Sequence, residues 1–144
     1  MVPSQIRLSL LQQHEEIRAE MEALARAHSS SADLHELRNR TLHLANTIRN
    51  HNRNEEDLLH ALLHEVDAWG PLHVGTMNEL HAAEHDQLFG ALLDAAATVE
   101  AGAFEEIVFP AIDQVLDHMA REEKSFLNEL VLRDDVVVVD QSSG

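Results

Sequence analysis

The sequence predicts an all-α protein, an antiparallel up-down-up-down four-helix bundle. Three observations lead there. Gly (5) and Pro (3) are scarce among 144 residues, so punctuation points are few and the elements must be few and long. Apolar content is 44% but aromatic content only 3%, with no Tyr, so packing rests on Leu, Ala, Val and Ile, with Leu and Ala strong helix formers. Apolar residues also recur three and four positions apart in four stretches divided by turn signals.

Pro3-Ser4 opens the first helix, with Ser4 as N-cap, and Ile6, Leu10, Ile17, Met21 and Leu24 form its inner face. His14 lies among them. The stretch His28-Ser29-Ser30-Ser31 ends it. Asp33 caps a second helix from Leu34 to about Trp69, interrupted by the polar run Asn50–Asn54 and stopped by Gly70-Pro71. Leu44, Ile48, His51, Glu55, Leu58 and Leu62 share one stripe of it.

The third helix runs from about Leu72 to Ala101, with Val74, Met77, His81, His85, Leu88, Leu92, Ala95 and Val99 inward and Gly102 as the break. The fourth starts near Ala103 and presents Phe104, Val108, Ile112, Val115, Met119, Glu122, Phe126 and Leu130. Pro110 inside it predicts a kink or a later start, because proline removes a backbone donor. Arg133-Asp134-Asp135 closes the helical region. Residues 1–135 thus form the bundle domain, and 136–144, including β-prone Val136–Val139, form a poorly ordered or docked tail.

A formal charge of −16 excludes nucleic acid and anionic membrane surfaces as partners, since both need basic patches. The absence of Cys removes disulfides, thiolate metal sites and Cys nucleophiles. No apolar run has transmembrane length and no signal pattern opens the chain, so a cytoplasmic protein, monomeric or weakly oligomeric, is the expectation. Eleven His is the one compositional anomaly.

Those histidines are patterned. On a helix, residues four apart lie one above the other. His51/Glu55, His81/His85 and His118/Glu122 all use that spacing, and His14 adds a donor from the first helix. A carboxylate on a core-facing stripe is costly unless it is paired or coordinates a metal. A His on one helix followed by His-x-x-x-Glu-Glu on the next occurs twice, which relates the two halves by a pseudo-twofold axis. Imidazole with carboxylate suits Fe, Zn or Mn, and bridging carboxylates suit a pair of ions. Bridging would give about nine donor atoms, and a shared oxo or hydroxo about two more, of the roughly twelve that two six-coordinate ions need. That leaves about one position for a small ligand.

Gln13-His14-Glu15, His51-Asn-Arg-Asn-Glu55-Glu56, His81-Ala-Ala-Glu84-His85 and His118-Met-Ala-Arg-Glu122-Glu123 follow one another in the order found in the hemerythrin-like (His-His-Glu cation-binding) domain family, which the chain resembles from about residue 5 to 133. The resemblance implies a non-haem, oxo- or hydroxo-bridged centre of two Fe ions that binds O₂, NO or peroxide. The implied ligands are His14, His51, Glu55, His81, His85, His118 and Glu122. Invertebrate O₂ carriers of similar type place an Asp five residues after the last His, a position taken here by Glu123, so Glu123 is the alternative to Glu122. The helical wheel favours Glu122. Related domains can lack the residue matched by His81 and still hold two irons.

The remaining histidines read as surface or helix-end residues: His28, His35, His43 and His73, with His60 and His64 projecting opposite His51. Glu56 reads as orienting a ligand or facing solvent. Competing functions are a small-ligand binding module, an enzyme decomposing peroxide or reducing NO without Tyr or Cys radicals, and an iron store or buffer. A ferritin-like oxidase is disfavoured because that family uses Glu-x-x-His.

Overall fold

A computed structural model describes residues 2–64, 71–125 and 127, with side chains described for all of these but 61–64 and 71–80. Four helices follow in order: α1 (Pro3–Ser29), α2 (Leu34–His64), α3 (Pro71–Ala96) and α4 (Ala101–Ser125). Each packs against two neighbours, α1 on α2 and α4, and α3 on α2 and α4, closing an antiparallel four-helix bundle. Among the described residues there is no strand. At about 1.5 Å per residue, the 27 residues of α1 span roughly 40 Å, so a side chain near the middle of each helix sits far from both ends of the bundle.

The helix ends show what the residues do there. Val2, not Ser4, is the N-cap of α1, because Pro3 fills the first helical position, where its missing donor costs nothing. The Gln5 side chain accepts the Val2 backbone N–H at 3.2 Å. Ser31 takes a positive φ of 61° in the turn after α1. Asp33 caps α2 as expected, its Oδ1 accepting the Glu36 N–H at 2.8 Å.

Four features of the helices differ from expectation. Helix α2 passes through Asn50–Asn54 unbroken, since the polar run is carried partly on its outer side, while Asn52 is buried. Helix α3 stops at Ala96, where Thr98 Oγ1 and Thr98 N–H both turn back to the Ala95 carbonyl and Arg38 Nε of α2 donates to the Ala96 carbonyl. Val99 is therefore 81% exposed between helices instead of on an inner stripe. Gly102 falls inside the first turn of α4, whose first backbone bond runs from Phe104 N–H to the Glu100 carbonyl. Pro110 does not delay the start of α4; it is exposed within a continuous helix.

An aliphatic core fills one end of the bundle. Met21, Leu24, Leu37, Leu44, Leu92, Phe104 and Val108 belong to one buried cluster, which continues through Ile48, Leu88, Ile112 and Val115 toward a polar layer. On α2, Leu59 is buried and Leu58 only half-buried, so the inner stripe rotates slightly from the one the spacing predicts. Expectations on Leu62, His64, Trp69, Gly70, His73, Val74, Met77, Phe126, Leu130, residues 133–135 and the 136–144 tail lie outside the described side chains or residues.

Candidate metal centre

The polar layer consists of His14 from α1, His51 and Glu55 from α2, His81 and His85 from α3, and His118 and Glu122 from α4. Every one of the seven sequence-derived candidates reaches it. All are buried except His81, whose side chain keeps 13% exposure. Glu55 is fully buried and Glu122 is 3% exposed, so two carboxylates have been taken out of water at one level of the core.

The donors divide into two groups that share both carboxylates: Glu55, His81, His85, His118 and Glu122 in one, His14, His51, Glu55 and Glu122 in the other. Within each group, one atom per residue lies within 4.8 Å of all the others, and each group could hold a metal ion. Glu55 offers one oxygen to each side. Its Oε2 lies 3.0 Å from His51 Nε2 and 3.7 Å from His14 Nε2, and its Oε1 lies 3.5 Å from both His81 Nε2 and His85 Nε2. Glu122 Oε1 lies 3.3 Å from both His14 Nε2 and His118 Nε2, while its Oε2 lies 2.7 Å from His81 Nε2.

Proximity does not amount to hydrogen bonding here. Neither oxygen of Glu55 or Glu122 has a hydrogen-bond partner, and neither have His14 Nε2 and His51 Nε2. Buried polar atoms are nearly always paired, and leaving one unpaired costs about 1–3 kcal/mol, more when charged. Six such atoms facing one spot make a layer that could hold a cation.

Behind the donors, four rings are held from outside through Nδ1. His14 Nδ1 pairs with Glu123 at 2.7 Å, His51 with Gln13 at 2.7 Å, His85 with Glu56 at 3.0 Å and His118 with Glu84 at 2.9 Å. Each acceptor receives a hydrogen bond from the Nδ1–H and so directs Nε2 inward, where its lone pair becomes available to a metal once the Nε2 proton leaves. Arg18 clamps Glu123 at 2.6 Å, and Arg121 clamps both Glu84 and Asp117. Glu123 stands outside both donor groups and serves His14 instead.

Charge completes the picture. Burial pulls the His14 ring toward neutrality, but Glu122, Glu55 and Glu123 outweigh it and hold its pKa up to about 10. His85 stands likewise: burial opposes, Glu122 and Glu55 prevail, and its pKa is about 10. Burial disfavours the charged forms of Glu55 and Glu122, yet the surrounding imidazoles keep both ionised, Glu122 well below the ordinary carboxylate range. In the protein without metal, therefore, protons occupy the place of cations.

The supporting residues were harder to see in the sequence than the donors. Their signal was adjacency: Gln13 and Glu84 precede a His of the layer, and Glu56 and Glu123 follow its two carboxylates. Of the histidines expected at the surface, His35, His43 and His60 are exposed, and His28 bonds Glu105 at 2.7 Å with its ring edge-on to Phe109.

Fold and site together define a four-helix bundle with a buried histidine–carboxylate cluster able to hold metal. Set beside known proteins, the chain matches no family model, no curated protein and no solved structure. No described helix is long and apolar enough to cross a membrane.

Proposed function

We propose that this chain is a hemerythrin-like protein holding two non-haem Fe ions, which binds O₂ or a related small ligand such as NO or peroxide in the bundle core. One observation carries the reading: two buried carboxylates, each offering an oxygen to both donor groups and neither hydrogen-bonded, ringed by five imidazole Nε2 atoms from all four helices. A single ion would leave one group's donors unused. Two ions sharing Glu55 and Glu122 use them all, and the mixed nitrogen–oxygen set suits iron.

His81, His85 and His118 would hold one ion, His14 and His51 the other, with Glu55 and Glu122 bridging. Iron in such a setting supplies reversible one-electron chemistry and a binding position for a small oxidant. The chain supplies the rest. With three imidazoles on one side and two on the other, a small ligand would find its place beside His14 and His51. Glu123, Gln13, Glu56 and Glu84 fix ring orientation by accepting hydrogen bonds from the Nδ1–H groups. Ile48, Leu88, Val115 and Met119 are buried in the core beside the layer and would keep bulk water away from it. Neither Tyr nor Cys is present to be oxidised in its place.

Metal analysis of aerobically purified protein, with its near-ultraviolet and visible spectrum, tests this. The expected result is about two Fe per chain with oxo-bridge absorption, and colour that cycles on reduction and re-exposure to air. Zinc as the resident metal, or one ion per chain, would refute it. Gas evolution on addition of peroxide would move the reading to the enzyme class.

A further inference from the structure

The supports behind the histidines obey the same twofold repeat as the donors, with one exception. In the second half, the residue before His85 (Glu84) holds His118 of the next helix; in the first half, the residue before His14 (Gln13) holds His51 of the next helix. Likewise the residue after Glu55 (Glu56) holds His85, and the residue after Glu122 (Glu123) holds His14. Three of these four supports are carboxylates. Gln13 alone is an amide.

The difference matters because a carboxylate accepting an imidazole N–H makes that ring a stronger donor to metal, whereas a neutral amide fixes its orientation with much less transfer of charge. Gln13 is half-buried and lines a cavity of about 300 Å³ with Glu16, Thr47, Asn50 and Asn54, so there is room for a carboxylate of the same length. The amide falls on the group that already has fewer imidazoles.

We infer that Gln13 is a positioning residue that sets the electronic inequality of the two ions, keeping the one bound by His14 and His51 at the higher reduction potential. This rests on the two-iron reading above. Glu84 has the opposite effect on the other ion, where His118 is carboxylate-backed.

The test is a redox titration of the iron-loaded protein, following the two one-electron steps, in the wild type, Gln13→Glu and Glu84→Gln. Gln13→Glu should lower the potential of the His14/His51 ion and leave the other nearly fixed, narrowing the separation by about tenfold in the redox equilibrium, about 59 mV. Glu84→Gln should narrow it from the other side by raising the second potential. The hyperfine-shifted His51 Nδ1–H proton resonance should move in Gln13→Glu, whereas the His14 resonance stays. A merely structural role would change iron content and leave the separation alone. Two irons per chain with an unchanged separation in both variants would overturn the inference while sparing the two-iron reading; failure of the wild type to take up two irons would overturn both. Where Gln13→Glu does not load, the Glu84→Gln separation decides.

Discussion

His85 Nε2 and His118 Nε2 stand 3.0 Å apart in the core, and both rings have given their Nδ1 position to an outer carboxylate, Glu56 and Glu84 respectively. With both Nδ1 protons directed outward, the two lone pairs would face each other unless something positive lies between them. Without metal that something is a proton, consistent with the raised pKa values of both rings.

Metal uptake must therefore expel protons. His14 and His85, each with a pKa near 10, are protonated at neutral pH in the metal-free protein and must be neutral to coordinate. Loading should release on the order of two protons per chain at pH 7, and affinity should fall as pH is lowered. Calorimetry of metal binding in buffers of different ionisation enthalpy measures the release directly; a buffer-independent heat would contradict it.

The metal-free protein should be most stable in mildly acidic solution. The raised histidine pKa values contribute stability that is complete below about 6.5 and is lost as pH rises toward about 10. The lowered Glu55 and Glu122 values contribute stability present above about 4.5 and lost below it. Urea denaturation of metal-free protein should accordingly show its highest midpoint between about pH 4.5 and 6.5. Loaded protein should lose that preference and gain stability at higher pH.

Glu122 and Glu123 should part company on mutation. Glu122→Gln removes a carboxylate shared by both donor groups and should cost most of the bound metal. Glu123→Gln keeps an acceptor for His14 Nδ1 and should lower affinity by about 10–100-fold at unchanged stoichiometry. Competition with a chelator of known affinity separates the two. Equal loss of metal in both would mean that Glu123 also binds directly.

Leu92 is fully buried in the aliphatic end of the bundle, away from the donor layer in α3. Leu92→Ala should destabilise the fold by about 2–5 kcal/mol through lost transfer energy and a cavity, with metal stoichiometry retained. Chemical denaturation together with metal analysis checks both halves of that statement.

Pro110 offers the reverse. It is exposed inside a continuous α4 and withholds a backbone donor from it. Pro110→Ala should restore that bond and raise stability by about 1–3 kcal/mol. No gain in the denaturation midpoint would show that α4 relies on the proline's rigidity in the unfolded chain instead.

Most of the architecture could be read from the sequence because it rests on periodicity. Ile6, Leu10, Ile17, Met21 and Leu24 are buried as their spacing requires, and His14 sits among them for the same reason. The seven candidate donors converge because a spacing of four is a statement about one helix face. Helix ends were less legible. The stop after Ala96 depends on Thr98 bonding back to Ala95 and on Arg38 reaching across from α2, and neither leaves a trace in local composition. Nor could the wheel assign Glu123: it turns away from the ligand face, and only the packing of α4 on α1 shows that it turns toward His14.

Glu123 and Glu56 each reach from one helical hairpin to a ring on the other, α4 to α1 and α2 to α3. Sliding one hairpin past the other by a single turn, about 5.4 Å, would break both struts and scatter the seven donors together. A core of interchangeable aliphatic side chains, with four Phe and no Tyr in the whole chain, tolerates such slippage far better than this layer does. The polar belt thus acts as a keyway that admits a single alignment of the rods. Replacing its seven members with Leu and Met should give a protein harder to unfold but with a collapsed spread of amide resonances, having traded one alignment for several.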